Sequence, residues 1–145
     1  MRSPDIQPQN RIFFISTNGS VVDLQKGAAT IIHAESLNET AQVAGSAMVD
    51  GIIYPALWGS DGQVNVLTVF PNVEFTKLNN NGQALGKRSP VSGPSVWTDS
   101  TAEDVLYSNG SLKGVQSFAL NTTLGKVLTL NDQGRILTSN YVIIP

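Results

Sequence analysis

The chain of 145 residues has no cysteine and one histidine, His33. It therefore has no disulfide, no zinc–thiolate site and no thiol chemistry, and one imidazole cannot build a multi-histidine metal centre. Charge is also scarce. Only 14% of residues are charged and the formal net charge is −2, against about 25% charged residues in an average soluble domain. The one basic cluster is Lys87-Arg88, so a phosphate-backbone footprint is excluded and no nucleic-acid partner is expected. The longest apolar run, Ile52 to Trp58, is far below the roughly 20 residues that span a bilayer, so no membrane insertion is expected. Residues 1–10 carry one Arg and no apolar core. They read as an N-terminal tail rather than a signal peptide.

Uncharged polar and turn-forming residues are abundant. Asn, Gly, Ser and Thr occupy 50 positions, and Leu, Ile, Val and Phe another 42, enough apolar side chain for a folded core. The turn formers recur in a pattern. Leu37-Asn38 through Gly45 matches Leu78-Asn79 through Gly86, and both match Leu130-Asn131 through Thr138. The pattern is Leu-Asn, a turn, Gln or Arg, then two apolar residues, at spacings of 41 and 52. A second pattern accompanies it. Phe14 to Leu24 aligns with Leu57 to Leu67 and, as a third copy, with Val96-Trp97 to Val105-Leu106 at spacings of 43 and 39. Pro55-Ala-Leu-Trp58 and Pro94-Ser-Val-Trp97 repeat within it.

Asn-Gly and Asp-Gly pairs supply the positive φ of tight hairpin turns, and the flanking runs are short and β-rich. No window holds a convincing 3.6-residue period, and Thr30-Ile31-Ile32 reads as strand. The expectation is an all-β domain over 11–145, built of antiparallel four-stranded units near 11–50, 51–90 and 91–145. Four strands in about 40 residues is a β-propeller-like signature. A β-trefoil or another closed barrel or sandwich is the alternative, because three units do not obviously close a ring. Two chains sharing one ring is one resolution of that count, and a longer repeat protein is another.

The pattern Ala-x-x-Leu-Asn-x-x-x-Gln-Val-x-Gly, then Pro-Ala-Leu-Trp, then Asp-Gly-Gln-Val-x-x-Leu, is clearest over Ala34 to Leu67 and returns over Phe75 to Leu106. It resembles the HAF-type extracellular repeat of bacteria. The resemblance implies a propeller-like fold and an exported or surface protein, and the low charge with abundant Asn, Ser and Thr points to the cell exterior or the periplasm. It implies no reaction and no agreed ligand. The third unit departs from the pattern, with extra residues between Leu106 and Leu130.

Trp58 and Trp97 share a repeat position, with Ile15 as the third member. They read as core packing or as an aromatic platform for a sugar ring flanked by Asn, Asp and Gln. Asn38, Asn79 and Asn131 read as Asx turn caps bonding the backbone two residues on, and Gln42, Gln83 and Arg135 as side chains satisfying nearby loop backbone. Asn79-Asn80-Asn81-Gly82 lacks the carboxylates of a calcium loop, so no metal and no cofactor are expected. His33 reads as structural and Glu103-Asp104 as a solvated turn. Adjacent strand carboxylates point to opposite faces and cannot form a glycosidase pair. Tyr107 to Lys126 is the preferred contact segment through Tyr107, Lys113, Gln116 and Asn121, unless it is a hairpin covering an edge. No catalytic constellation emerges. The expected function is a non-catalytic interaction module that binds a protein or itself. A carbohydrate-binding module using Trp58 and Trp97 is the alternative, and an uncharacterised hydrolase the second alternative.

Overall fold

The computed structural model describes residues 12–119 and 122–145. The expected tail 1–10 lies outside them. Thirteen strands among the described residues form four antiparallel sheets, each made of consecutive strands. β1 (Phe13–Ile15) and β2 (Val21–Asp23) form the first sheet. β3 (Ile31–Leu37), β4 (Val43–Val49), β5 (Ile52–Trp58) and β6 (Val64–Val66) form the second. The third comprises β7 (Val73–Leu78), β8 (Ala84–Arg88), β9 (Glu103–Ser108) and β10 (Ser111–Gly114). The fourth comprises β11 (Val127–Leu130), β12 (Ile136–Thr138) and β13 (Val142–Ile143). The all-β, antiparallel expectation holds. The expected unit boundary at residue 50 falls in the β4–β5 turn, inside the second sheet.

Three apolar clusters join the sheets in sequence order. Leu24 and Phe14 of the first layer pack with Ile32, Val43, Ala47, Ala56 and Trp58 of the second. Ala44 and Leu57, on the second sheet's other face, pack with Val73, Phe75, Ala84 and Val105 of the third. Leu85 and Leu106, on the far face of the third sheet, meet Ile136 and Ile143 of the fourth. Both four-stranded sheets are thus covered on both faces. The first and last sheets are covered on one, which leaves Phe13, Ile15 and Val21 exposed at one end of the stack and Leu137, Val142 and Ile144 at the other.

Short strands persist because each turn meets its backbone requirement. The β4–β5 turn has positive φ at Asp50 and Gly51, and the β9–β10 turn at Asn109 and Gly110, as a two-residue I′ hairpin demands. The first strand after each connection carries the same bulge. Register shifts between Ala34 and Ser36, between Phe75 and Lys77, and between Val127 and Thr129, which are equivalent positions at the 41- and 52-residue spacings. The first two bulges explain Gly45 and Gly86. A Cβ there would lie 1.8 Å from the His33 carbonyl oxygen and 2.3 Å from that of Glu74.

One turn departs from its counterparts. Ala41 sits at φ 60, where Gly82 and Gly134 sit at φ 77 and 78. A left-handed alanine costs roughly 1–2 kcal/mol, and the added backbone freedom of an unfolded glycine about 0.4–1. Ala41→Gly is therefore expected to stabilise the chain by about 0.5 kcal/mol, read as a higher denaturant midpoint at unchanged slope.

Candidate functional site

The Leu-Asn turns carry the most specific polar geometry in the molecule. Asn38 Oδ1 accepts the N–H groups of Thr40 and Gln42 at 3.1 and 2.9 Å. Asn79 Oδ1 accepts those of Asn81 and Gln83 at 3.0 and 2.9 Å, and Asn131 Oδ1 those of Gln133 and Arg135, both at 3.0 Å. The side-chain oxygen thus caps its own turn, at the residue two positions on as expected and also at the residue four on.

The amide nitrogen does something further. Asn38 Nδ2 donates to the Asn79 carbonyl at 3.0 Å, and Asn79 Nδ2 to the Asn131 carbonyl at 2.9 Å. The next residue repeats the direction. The Glu39 N–H donates to Asn80 Oδ1 at 2.7 Å, and the Asn80 N–H to Asp132 Oδ1 at 2.8 Å. The result is a ladder of turns running one way from the second sheet to the fourth. Gln42 and Gln83 hold the asparagines in place by accepting their second amide N–H at 2.8 and 2.7 Å. They pair with a side chain rather than with loop backbone. Ser36 adds a rung, its Oγ accepting the Leu78 N–H at 3.0 Å. A turn-capping asparagine has two donors left once its oxygen is used. That surplus was the available signal for the ladder.

Above the ladder, clefts open between neighbouring layers. One of 390 Å³ is lined by Gln42, Leu57, Asp61, Gln63 and Leu78. Another of 320 Å³ is lined by Gln83, Ser108, Lys113, Phe118 and Pro145. Gln42 and Gln83 hold equivalent places in the two.

The two tryptophans are not equivalent. The residue facing Trp58 across β4–β5 is Val43, and the residue in Val43's place in the third sheet, Ala84, faces Tyr107. Tyr107 is the structural counterpart of Trp58, and it packs its ring against Phe75 with centroids 5.3 Å apart. Trp97 lies on a 3-10 helix, Gly93–Thr98, with Pro94 in its first turn. Pro55 sits inside β5 at the last position before β6 begins to pair with it. The shared Pro-x-x-Trp spelling therefore stands for two different local structures.

Trp58 is enclosed, and Trp97 is half-buried with one face of its indole taken. Trp58 is 1% exposed and donates its Nε1–H to the Gln25 carbonyl at 2.8 Å. Trp97 stacks on His33 at 3.8 Å and donates to the buried Ser46 Oγ at 2.7 Å. Tyr107 and Lys113 belong to β9 and β10, so the first part of the expected contact segment is the regular outer hairpin of the third sheet. Gln116 is exposed and donates to the carbonyls of Ala119 and Thr122. Asn121 lies outside the described residues.

Glu103 and Asp104 are strand residues rather than a turn. Each faces a cation across β8–β9, with Arg88 paired to Glu103 and Lys87 to Asp104 at 2.5 Å. The nearby turn is organised by Asp99, held below the usual carboxylate range by hydrogen bonds from the Ser89 hydroxyl and then from Thr101.

Glu74 sits in an environment that disfavours its charged form. Burial of this half-buried side chain, reinforced by Glu35 and opposed by Lys87, pushes its pKa up to about 7. The folded chain thus holds this proton more tightly than the unfolded chain does. The resulting stability is fully present below pH 4.5 and is lost as pH rises through about 7. Glu74→Gln should flatten that slope and stabilise the chain at pH 8 by about 1 kcal/mol once solvent screening is discounted. Urea titrations at pH 4.5 and pH 8 read both effects.

Among the described residues no group of three or more His, Asp or Glu side chains is placed to hold a metal ion. Among the same residues no helix is long and apolar enough to cross a membrane. Comparison with family models, with curated proteins and with solved structures finds no match to this chain.

Proposed function

We propose that this chain is a non-catalytic interaction module, a propeller-like stack of repeated β units that binds protein through its open ends. One observation carries the reading. The sheets pack in series through a fixed set of turn-to-turn bonds, and the two outermost sheets keep an apolar face in water. Ile15 is 68% exposed and Ile144 72%, and apolar residues grouped on one face mark an interaction surface. The recurring turns, bulges and outer hairpins support a blade-like unit and fit the resemblance to the HAF-type repeat. An exported or surface location belongs to the same proposal.

Lysine substitutions at the two ends test it. Ile15→Lys and Ile144→Lys should each leave the melting temperature within about 2 °C of wild type, since isolated surface changes are worth about 0.5 kcal/mol or less. Each should also weaken association in sedimentation velocity. A large loss of folding in both would place these residues in a closed core and overturn the reading.

A further inference from the structure

Resting on that reading, we infer that the partner at the open ends is a second copy of this chain, whose β11–β12 hairpin docks beside β1. Three sets of observations meet in this arrangement.

The first is the identity of the outer hairpins. The turn after β1 and the turn after β5 make the same bonds. The Ser16 N–H donates to the Ser20 carbonyl and the Gly59 N–H to that of Gln63. The Gly19 and Gly62 N–H groups donate to the carbonyls of Ser16 and Gly59. Asn18 Oδ1 and Asp61 Oδ1 accept the N–H groups of Ser20 and Gln63 at 2.9 and 3.0 Å. β1–β2 is therefore the counterpart of β5–β6, and Ile15 that of Trp58. β5 has β4 along its other edge, with Val43 opposite Trp58. β1 pairs only with β2 among the described residues.

The second is the complementary deficit at the opposite end. The turn between β11 and β12 matches the turn between β3 and β4, so β11–β12 is an inner hairpin. Its outer edge is occupied by the two-residue β13, with Ile143 opposite Ile136. Ile143 thus stands where Trp58 stands in the second sheet, which is the place whose counterpart in the first sheet is Ile15. One end holds an outer hairpin without an inner one. The other holds an inner hairpin with a short substitute for the outer one. Replacing β13 by the second copy's β1 completes a four-stranded sheet like the two in the middle.

The third is the ladder. Among the described residues, the Asn38 carbonyl accepts only the Ala41 N–H, whereas the Asn79 and Asn131 carbonyls each also accept an asparagine amide from the preceding turn. Among the described residues Asn131 Nδ2 makes one bond, to Gln133, whereas Asn38 and Asn79 make two. The free donor at one end therefore matches the free acceptor at the other. By the same rule the Asp132 N–H matches the Glu39 carboxylate of a second copy, as the Asn80 N–H matches Asp132. Leu37 completes the set. It is 54% exposed, while its counterpart Leu78 packs in the cluster that joins the second and third sheets. Docking at both ends gives a two-chain ring of six Leu-Asn turns. A head-to-tail contact made twice closes in this way, whereas an unclosed one grows into a filament.

The test uses the absence of cysteine. By the β4–β5 register, Ala44 faces Leu57, so the second copy's Leu137 would face Phe14. Within one chain these two residues lie in the first and last sheets, with two sheets between them. Layers spaced about 10 Å apart put an intrachain disulfide out of reach. Under mild oxidation Phe14→Cys/Leu137→Cys should give a covalent two-chain product, and neither single variant should do so. Mass measurements on variants with exposed changes give a second arm. Leu37→Asp, and Asn131→Asp, which keeps the capping oxygen but loses the donor, should each fold normally and weaken association about tenfold or more. Overturning results are a wild-type mass of 15.5 kDa at every concentration, single-cysteine variants that cross-link as well as the pair, or a filament instead of a two-chain species. Wild type that is monomeric alone, yet loses binding to a different chain on Leu37→Asp, overturns the second copy while leaving the interaction module standing.

Discussion

Trp58→Ala is expected to cost about 4 kcal/mol of folding stability, within the range of roughly 3–5 for truncating a fully buried tryptophan. Trp58 fills the space between the first and second sheets with Leu24, Ile32, Val43 and Ala56, and its Nε1–H is the partner of the Gln25 carbonyl. Truncation opens a cavity at the junction of two layers and orphans that carbonyl. Trp58→Phe separates the two terms. It keeps most of the apolar volume and should recover more than half of the loss, leaving about 1–2 kcal/mol for the missing bond and the smaller ring. Guanidinium unfolding of both variants measures the split. A Trp58→Ala cost below about 1 kcal/mol would mean that the first sheet is not packed as described.

Asn79→Ala should rank next, at about 3–4 kcal/mol. The side chain is 4% exposed and makes four hydrogen bonds, accepting from Asn81 and Gln83 and donating to Gln83 and to the Asn131 carbonyl. It also leaves the Asn38 amide with its target on a turn that has lost its cap. At about 1 kcal/mol per bond, and more where partners are left buried and unpaired, the sum reaches this range. Asn131→Ala makes the sharper comparison. Asn131 is exposed and sits at the end of the ladder, so its loss should cost about 1 kcal/mol. Equal costs at the two positions would show that the cap within the turn is all that matters and that the bonds between turns contribute nothing.

The sequence was most informative where chemistry is local. Asn-Gly and Asp-Gly pairs announced hairpins, the spacing of Leu37, Leu78 and Leu130 marked equivalent turns, and Thr30-Ile31-Ile32 announced β3. It misled where one spelling serves two structures. Pro94-Ser-Val-Trp97 copies Pro55-Ala-Leu-Trp58, yet Gly93 at φ 69 and the connection after β8 turn it into a 3-10 helix, while Asn109-Gly110 makes the true outer hairpin. The salt bridges of Glu103 and Asp104 were hidden because cross-strand partners depend on register. The ladder was only half visible. A capping role for asparagine follows from its oxygen, but the destination of its amide depends on which turn lies beside it.

The central claim is that the two ends of the stack are binding surfaces rather than the outside of a finished fold. Sedimentation equilibrium of wild-type chain over about two decades of concentration tests it most directly. The account predicts a weight-average mass that rises from 15.5 kDa toward twice that value, and falls back when Leu37→Asp or Asn131→Asp is introduced. A mass fixed at 15.5 kDa throughout, for a chain that unfolds cooperatively and binds no other protein, would contradict it.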